Sequence, residues 1–284
     1  MNEVLQYLKF LLAFILLLTL THFGFQAYQN AKLYETTSIS IANQSSASTL
    51  AQGKIDKITS AISFGLIKNK TKEKFDLIKK RQQEYKKNSE RYFYYFIYTL
   101  IILIIFSAVC TISHGTLLLA LGSFISLIYG LINPILMVTI HKQVEHLGDV
   151  ILSFESKGIL GSISKLFNTG ENMVALTILV FSVIIPVLKI STLIFVIIAK
   201  EFNFAHTIVR FFKLLGKWSM IDVFVVAVFL VYFTSNQGEI TQAEIEVGLY
   251  FFLIYVLLSM VTAILTQKLL TKLPSLQQDA PKKL

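Results

Sequence analysis

The sequence predicts an all-α polytopic membrane protein with six transmembrane helices. Three observations predict it. Of the 284 residues, 54% are hydrophobic and only 15% are charged. Mean hydropathy is positive. The apolar residues also gather into runs near the roughly 20 residues that a helix needs to cross a bilayer core. Together these exclude an ordinary soluble domain. The net charge of +9 then reads as topology and attraction to a membrane surface, with no nucleic acid implied. One cysteine, Cys110, allows neither an internal disulfide nor a cysteine zinc site. His141 and His146 are the only close histidine pair, and a spacing of five leaves one helical face. No metal and no cofactor are expected.

The first span runs from about Val4 to Phe25. Thr21 to Phe25 is a poor peptidase target, so residues 1–25 read as a retained anchor. Residues 26–91 follow as a basic extracytoplasmic segment. Within it Thr36 to Thr49 (TTSISIANQSSAST) is Ser/Thr-rich and reads as flexible. Ile55, Ile58, Ile62 and Leu66 fall at helical spacing, as do Phe75, Ile78, Gln82 and Tyr85. Two amphipathic helices are expected, the second running into the next span. They read as a solvated charged pair with a narrow apolar seam, or as a docking surface for anionic headgroups or a partner helix.

The second span, about Tyr92 to Ile112, and the tight link Ser113-His114-Gly115 make up residues 92–115. Residues 116–268 form a four-helix membrane domain. Its spans are about Thr116–Ile140, Met173–Ala199, Ser219–Thr234 and Val247–Thr266. Between the first two of these, Asp149 to Glu155 has strand character and Ser156 to Phe167 suggests a short helix. Glu239 to Val247 would pair with that strand in a small extracytoplasmic sheet. Residues 269–284 are a tail.

Orientation follows from lysine and arginine beside the spans. Lys200, Arg210, Lys213 and Lys217 lie in one loop; Lys268, Lys272, Lys282 and Lys283 follow the last span. The opposite loop has Glu239, Glu244 and Glu246 and no base. Both termini are therefore expected in the cytoplasm. The basic stretch Lys68–Arg91 would then be outside, which a long loop tolerates because its export depends little on charge.

Lys189 interrupts an almost wholly apolar run. It lies about ten residues from the inner end of its span, so roughly 15 Å deep. A lysine at the bilayer centre costs about 2.5–3.5 kcal/mol on insertion scales, and a cost of that size calls for a partner or internal water. Asp222 is the one acid inside the apolar runs, and Ser219 precedes it by one turn. Thr262 on the last span lies at comparable depth. These four residues read either as a structural pin between helices or as a polar relay for a proton or ion. Intramembrane ionisable residues favour the relay. Pro186 and Pro134 each remove a backbone donor and predict helix kinks.

At this point the residues resemble a known family. Asn133-Pro134, the run Ser156-Lys-Gly-Ile-Leu with Leu166-Phe and Gly170, Pro186-x-x-Lys189 and Trp218-Ser-Met-x-Asp-Val-Phe224 resemble the transmembrane domain of the paraquat-inducible protein A family, from about Leu118 to Lys268. The resemblance implies a four-span tetraspanin-like or claudin-like bundle in a bacterial inner membrane. It implies work beside mammalian-cell-entry (MCE) domain tunnels that carry lipid. It also implies that Lys189, Ser219, Asp222 and Thr262 form a polar network. Members often carry cysteine zinc ribbons and two units; this sequence has one unit and no ribbon. The first span, the basic segment and the second span have no counterpart in the family.

The expected function is an inner-membrane subunit that loads or unloads phospholipid for an MCE-type tunnel, with the network coupling movement to protonation. The expected partners are the tunnel protein, phospholipid and the membrane. No GxxxxGK[ST] run occurs, so energy would come from elsewhere. The alternative is a membrane scaffold or sensor with an extracytoplasmic helical input segment. An enzyme is not expected, because no set of interfacial acids or His/Asp groups is present.

Overall fold

A computed structural model describes residues 2–44, 70–144, 148–198 and 241–271. The chain runs α1 (Asn2–Gln44), α2 (Lys70–Val109), α3 (Ile112–Ile132), β1 (Pro134–Val144), β2 (Gly148–Gly158), α4 (Ile159–Asn168), α5 (Asn172–Leu179), a π-turn (Val180–Ile184), α6 (Ile185–Ile198), β3 (Thr241–Ile245) and α7 (Val247–Thr271). Among the described residues, five helical units are long and apolar enough to cross a membrane, α5 and α6 counting as one through the π-turn. The expected span Ser219–Thr234 lies outside the described residues.

α3 and α7 form the centre and separate two packed regions. On one side α1 and α2 bury Leu20, Ala27, Phe96 and Leu103 against α3 and Phe251 of α7. Phe251 meets the rings of Phe93, Phe96 and Tyr129 at centroid distances of 5.0, 4.8 and 5.7 Å. On the other side α4 and α6 bury Ile163, Ile190 and Leu193 against Leu127 of α3 and Phe252 and Tyr255 of α7. The outward face of α1 presents Leu11, Phe14, Ile15 and Leu18, exposed large apolar groups that suit acyl chains.

Several boundaries differ from the sequence expectation. α1 continues to Gln44, so residues 36–44 are helical where flexibility was expected. Their hydroxyls bond their own helix, as Thr37 does to Leu33 O at 2.7 Å and Ser38 to Tyr34 O at 2.8 Å. The Ser38 hydroxyl also accepts from Gln82 Nε2 of α2 at 2.8 Å. Packing against α2 overrides the weak helix propensity of Ser and Thr. The stretch Ile55–Leu66 lies outside the described residues. α2 is continuous from Lys70, as the merged helix predicts.

The break between α2 and α3 falls at Cys110-Thr111, so Ser113–Gly115 lie in the first turn of α3 rather than in the link.

α3 stops at Ile132, eight residues before the expected end, and Pro134 opens β1. Pro134 is therefore not a kink inside a span. A residue before proline is driven from the α region, and Asn133 is extended at φ −75°, ψ 152°. Asn133 also caps the helix, donating Nδ2–H to Tyr129 O at 2.8 Å. The apolar run beyond it, Ile135-Leu-Met-Val, is buried over its first three residues as sheet core. A buried strand and the end of a span share the same periodicity.

The sheet has order β2-β1-β3. Both neighbours of β1 are antiparallel to it, with Val138 facing Glu155 on one side and Ala243 on the other. The predicted strand 149–155 lies inside β2, yet the expected pairing of the 239–247 segment is with β1 instead. The sheet marks one end of the bundle. The hydroxyl of Tyr34 on α1 donates to Glu244 Oε2 at 3.3 Å, and Lys86 on α2 is salt-bridged to the same carboxylate. α1 and α2 extend past that end.

Tyr129 of α3 ties the first two helices to the rest. Its hydroxyl donates to Thr21 O at 2.8 Å, and its ring lies where Gly24 leaves room. Tyr129→Phe is expected to cost about 1 kcal/mol, read as a lower thermal midpoint of the purified protein in detergent. An unchanged midpoint would mean that the bond contributes nothing.

Candidate functional site

The residue that stood out in the sequence is buried here. Lys189 on α6 is only 5% exposed. Its ammonium donates to Ser259 Oγ on α7 at 3.3 Å. The Ser259 hydroxyl donates to Val256 O at 2.9 Å, which leaves its lone pairs to accept from the lysine. Ser259 falls near the middle of the apolar stretch Val247–Leu269. At 1.5 Å per residue it lies roughly 15 to 18 Å from either end, so the charge is held near mid-depth.

Local sequence explains how α6 delivers it. Pro186 has no N–H to give to the preceding turn. The helix meets this with the π-turn, where Ile185 N–H bonds Val180 O, five residues back. Such wide turns are recurrent at functional sites. The Pro186 carbonyl is within 3.5 Å of the Tyr255 hydroxyl, which donates to it across the α6–α7 interface.

Around the lysine a buried polar face follows α7: Tyr255, Ser259, Thr262 and Thr266, each fully enclosed. Their spacing of four, three and four residues is one helical stripe. α3 adds buried Ser123 and Ser126. The Ser123 hydroxyl donates to Tyr255 O at 3.3 Å, while the Ser126 hydroxyl donates to Gly122 O of its own helix at 2.9 Å. The two helices must be close for a serine on one to reach a main-chain carbonyl of the other.

Of the residues expected from sequence, Lys189 and Thr262 lie in or beside this arrangement. Thr262 is one turn beyond Ser259 on the same face, and its hydroxyl is used on Leu258 O at 2.7 Å. That is the backbone bond that serine and threonine commonly make inside helices. Asp222 and Ser219 lie outside the described residues. Sequence reasoning missed Ser259, Tyr255 and Ser123 as polar partners. The first two were within reach, because they stand three and seven residues before Thr262 on its own face. Ser123 required knowing that α3 packs on α7.

The buried ammonium and the hydroxyls beside it thus form a polar site enclosed by apolar helix faces.

No curated protein and no solved structure matches the chain significantly. The sequence profile of the paraquat-inducible protein A family matches residues 113–271, beginning at α3 and leaving α1 and α2 outside. That match covers more than half of the sequence and takes in Lys189 with the described helices packed around it, and the chain belongs to the paraquat-inducible protein A family.

Proposed function

We propose that this protein is the membrane subunit of a lipid transport system in a bacterial inner membrane. It loads or unloads phospholipid for an MCE-type periplasmic tunnel, with both termini in the cytoplasm. Movement of α6 against α7 is coupled to the protonation of Lys189, with Asp222 and Ser219 completing the network. No bond of the lipid is made or broken. The observation that carries the reading is the ammonium of Lys189, buried at mid-depth and held by Ser259. A central lysine costs about 2.5–3.5 kcal/mol, and such residues mark ion and substrate pathways.

Affinity purification of the full-length protein from membranes tests this. An MCE-domain protein and bound phospholipid should accompany it. Recovery of a kinase or a channel without lipid would favour a scaffold or sensor. One feature speaks for that second reading. α1 and α2 have 43 and 40 residues, roughly 60 Å each, twice the bilayer core. They lie outside the family match, so a surplus helical pair projects beyond the membrane where a partner would meet it.

A further inference from the structure

We propose that Glu246 is a proton-binding site at the sheet end of the bundle, the group through which the extracytoplasmic side loads a proton into the membrane domain. The proposal rests on the relay reading for the use of the proton; the site itself stands on its own geometry.

Glu246 joins β3 to α7 and precedes the apolar stretch. The residue is 5% exposed. Its Oε1 is buried and has no hydrogen-bond partner among the described residues. The backbone fixes it there: its N–H donates to Ile135 O of β1 at 2.9 Å, and its carbonyl accepts from Leu249 N at 3.2 Å. Next to it, Gly248 is pressed so close to Pro134 that a Cβ would lie 2.5 Å from that carbonyl. These contacts fix the backbone of Glu246 in the β1–α7 joint.

A buried carboxylate needs a cation or several donors to stay charged. The described groups that face it are Lys86 and Glu90 on α2, Glu244 on β3 and Tyr34 on α1. Lys86 is the only cation among them, and it is already engaged by Glu244 and set 5.5 Å over the Tyr34 ring. The two remaining acids oppose a charge on Glu246. The neutral acid form answers both problems, because it removes the charge and the repulsion. Burial is the larger cause, and the two acids add to it against Lys86, pushing the carboxyl up to about 8. At neutral pH the group therefore holds a proton that a closer approach of Lys86 would release and its withdrawal would hold more tightly.

Its place also suits an entry point. Glu246 begins the helix whose polar face carries Tyr255, Ser259, Thr262 and Thr266. Ser259, which holds Lys189, lies roughly 20 Å further along. Lys86 belongs to the α1–α2 pair, so displacement of that pair changes the proton affinity of a group in the family domain.

Infrared titration of the full-length protein in phospholipid vesicles tests the site. A protonated-carboxyl band should disappear with a midpoint near 8 as pH rises, and Glu246→Gln should lack it. Lys86→Met should move the midpoint upward and Glu244→Gln downward. These two variants leave Glu246 in place, so they test the site even if Glu246→Gln does not fold. Sodium at fixed pH should leave the band unchanged. Stability gives a second readout. A carboxyl raised on folding stabilises fully below its ordinary pKa and loses that contribution as pH rises to about 8. The stability of Glu246→Gln relative to wild type should therefore climb through that window and level off above it. Titration of every carboxyl in the ordinary range, an unshifted midpoint in Lys86→Met, or displacement of the proton by sodium would overturn the proposal. Lys189→Met should titrate like wild type, so failure of the relay and failure of this site give different results.

Discussion

Replacing Lys189 with methionine is expected to abolish the protein's contribution to envelope integrity while leaving it inserted and at least as stable as the wild type. Methionine keeps most of the side-chain volume on a helix whose Ile190 and Leu193 pack with Tyr255 of α7. It removes only the charge. Magnitudes separate the two meanings of this lysine. A mid-membrane ammonium costs about 2.5–3.5 kcal/mol. Its bond to Ser259, at 3.3 Å, is one of the contacts that offset this cost. A carboxylate partner would add to them, but buried ion pairs replaced by apolar groups are commonly neutral or stabilising by about 1–4 kcal/mol. A residue kept only to pin helices would be a poor choice for the purpose. The double variant Lys189→Met with Asp222→Asn removes both charges and should fold as well as the single variant, yet remain inactive. Complementation of an envelope-sensitive strain and thermal unfolding in detergent are the two measurements. Full complementation would end the relay reading. A loss of about 3 kcal/mol or more in stability would assign the lysine a structural role instead.

How much of this was legible depended on whether the cause was local. The described spans announced themselves because bilayer length and apolarity are properties of a single run. Lys189 was legible because one charge in hydrocarbon needs no context to be anomalous. The early end of α3 was not, because Ile135-Leu-Met-Val is equally apolar as helix or strand, and only Asn133-Pro134 hinted at a stop. Residues 36–44 were misjudged because their helicity comes from Ser38 meeting Gln82, a contact 44 positions apart in sequence. Ser259 adds a contact to Lys189 that the sequence does not single out, while Asp222, the partner expected from sequence, lies outside the described residues. The face of Ser259 could be drawn from sequence, but its rotation toward α6 could not. Glu246 passed as one acid of an outer loop; its burial is created by β1 and α2, and nothing in the nearby sequence encodes that.

Gly130 is expected to be among the least replaceable positions in the chain. A Cβ there would lie 2.8 Å from Phe252 N and 2.9 Å from its Cα. Those are main-chain atoms of α7, which cannot rotate aside as a flexible side chain does. In a membrane, helices associate through packing rather than hydrophobic expulsion, so small residues that let backbones approach carry much of the affinity. On α3 the residues Gly122, Ser123, Ser126 and Gly130 are all buried. Their spacing places them toward one face, and the Ser123 bond to Tyr255 O depends on the same closeness. Gly130→Ala should cost about 2 kcal/mol, and Gly130→Val more, the range for overfilling a packed interior. The matched control is Gly161→Ala on α4, where an added Cβ meets nothing within 4 Å. That change should be neutral or gain up to about 1 kcal/mol from helix propensity. The consequence extends past stability. Pushing α7 off α3 at Phe252 shifts Tyr255 and Ser259 one and two turns on, and with them the bonds to Pro186 O and to Lys189. Gly130→Ala should therefore lose activity under conditions where it is still folded. Equal thermal midpoints for Gly130→Ala and Gly161→Ala would show that the α3–α7 contact is loose, and the argument that it positions the lysine's partner would fall with it.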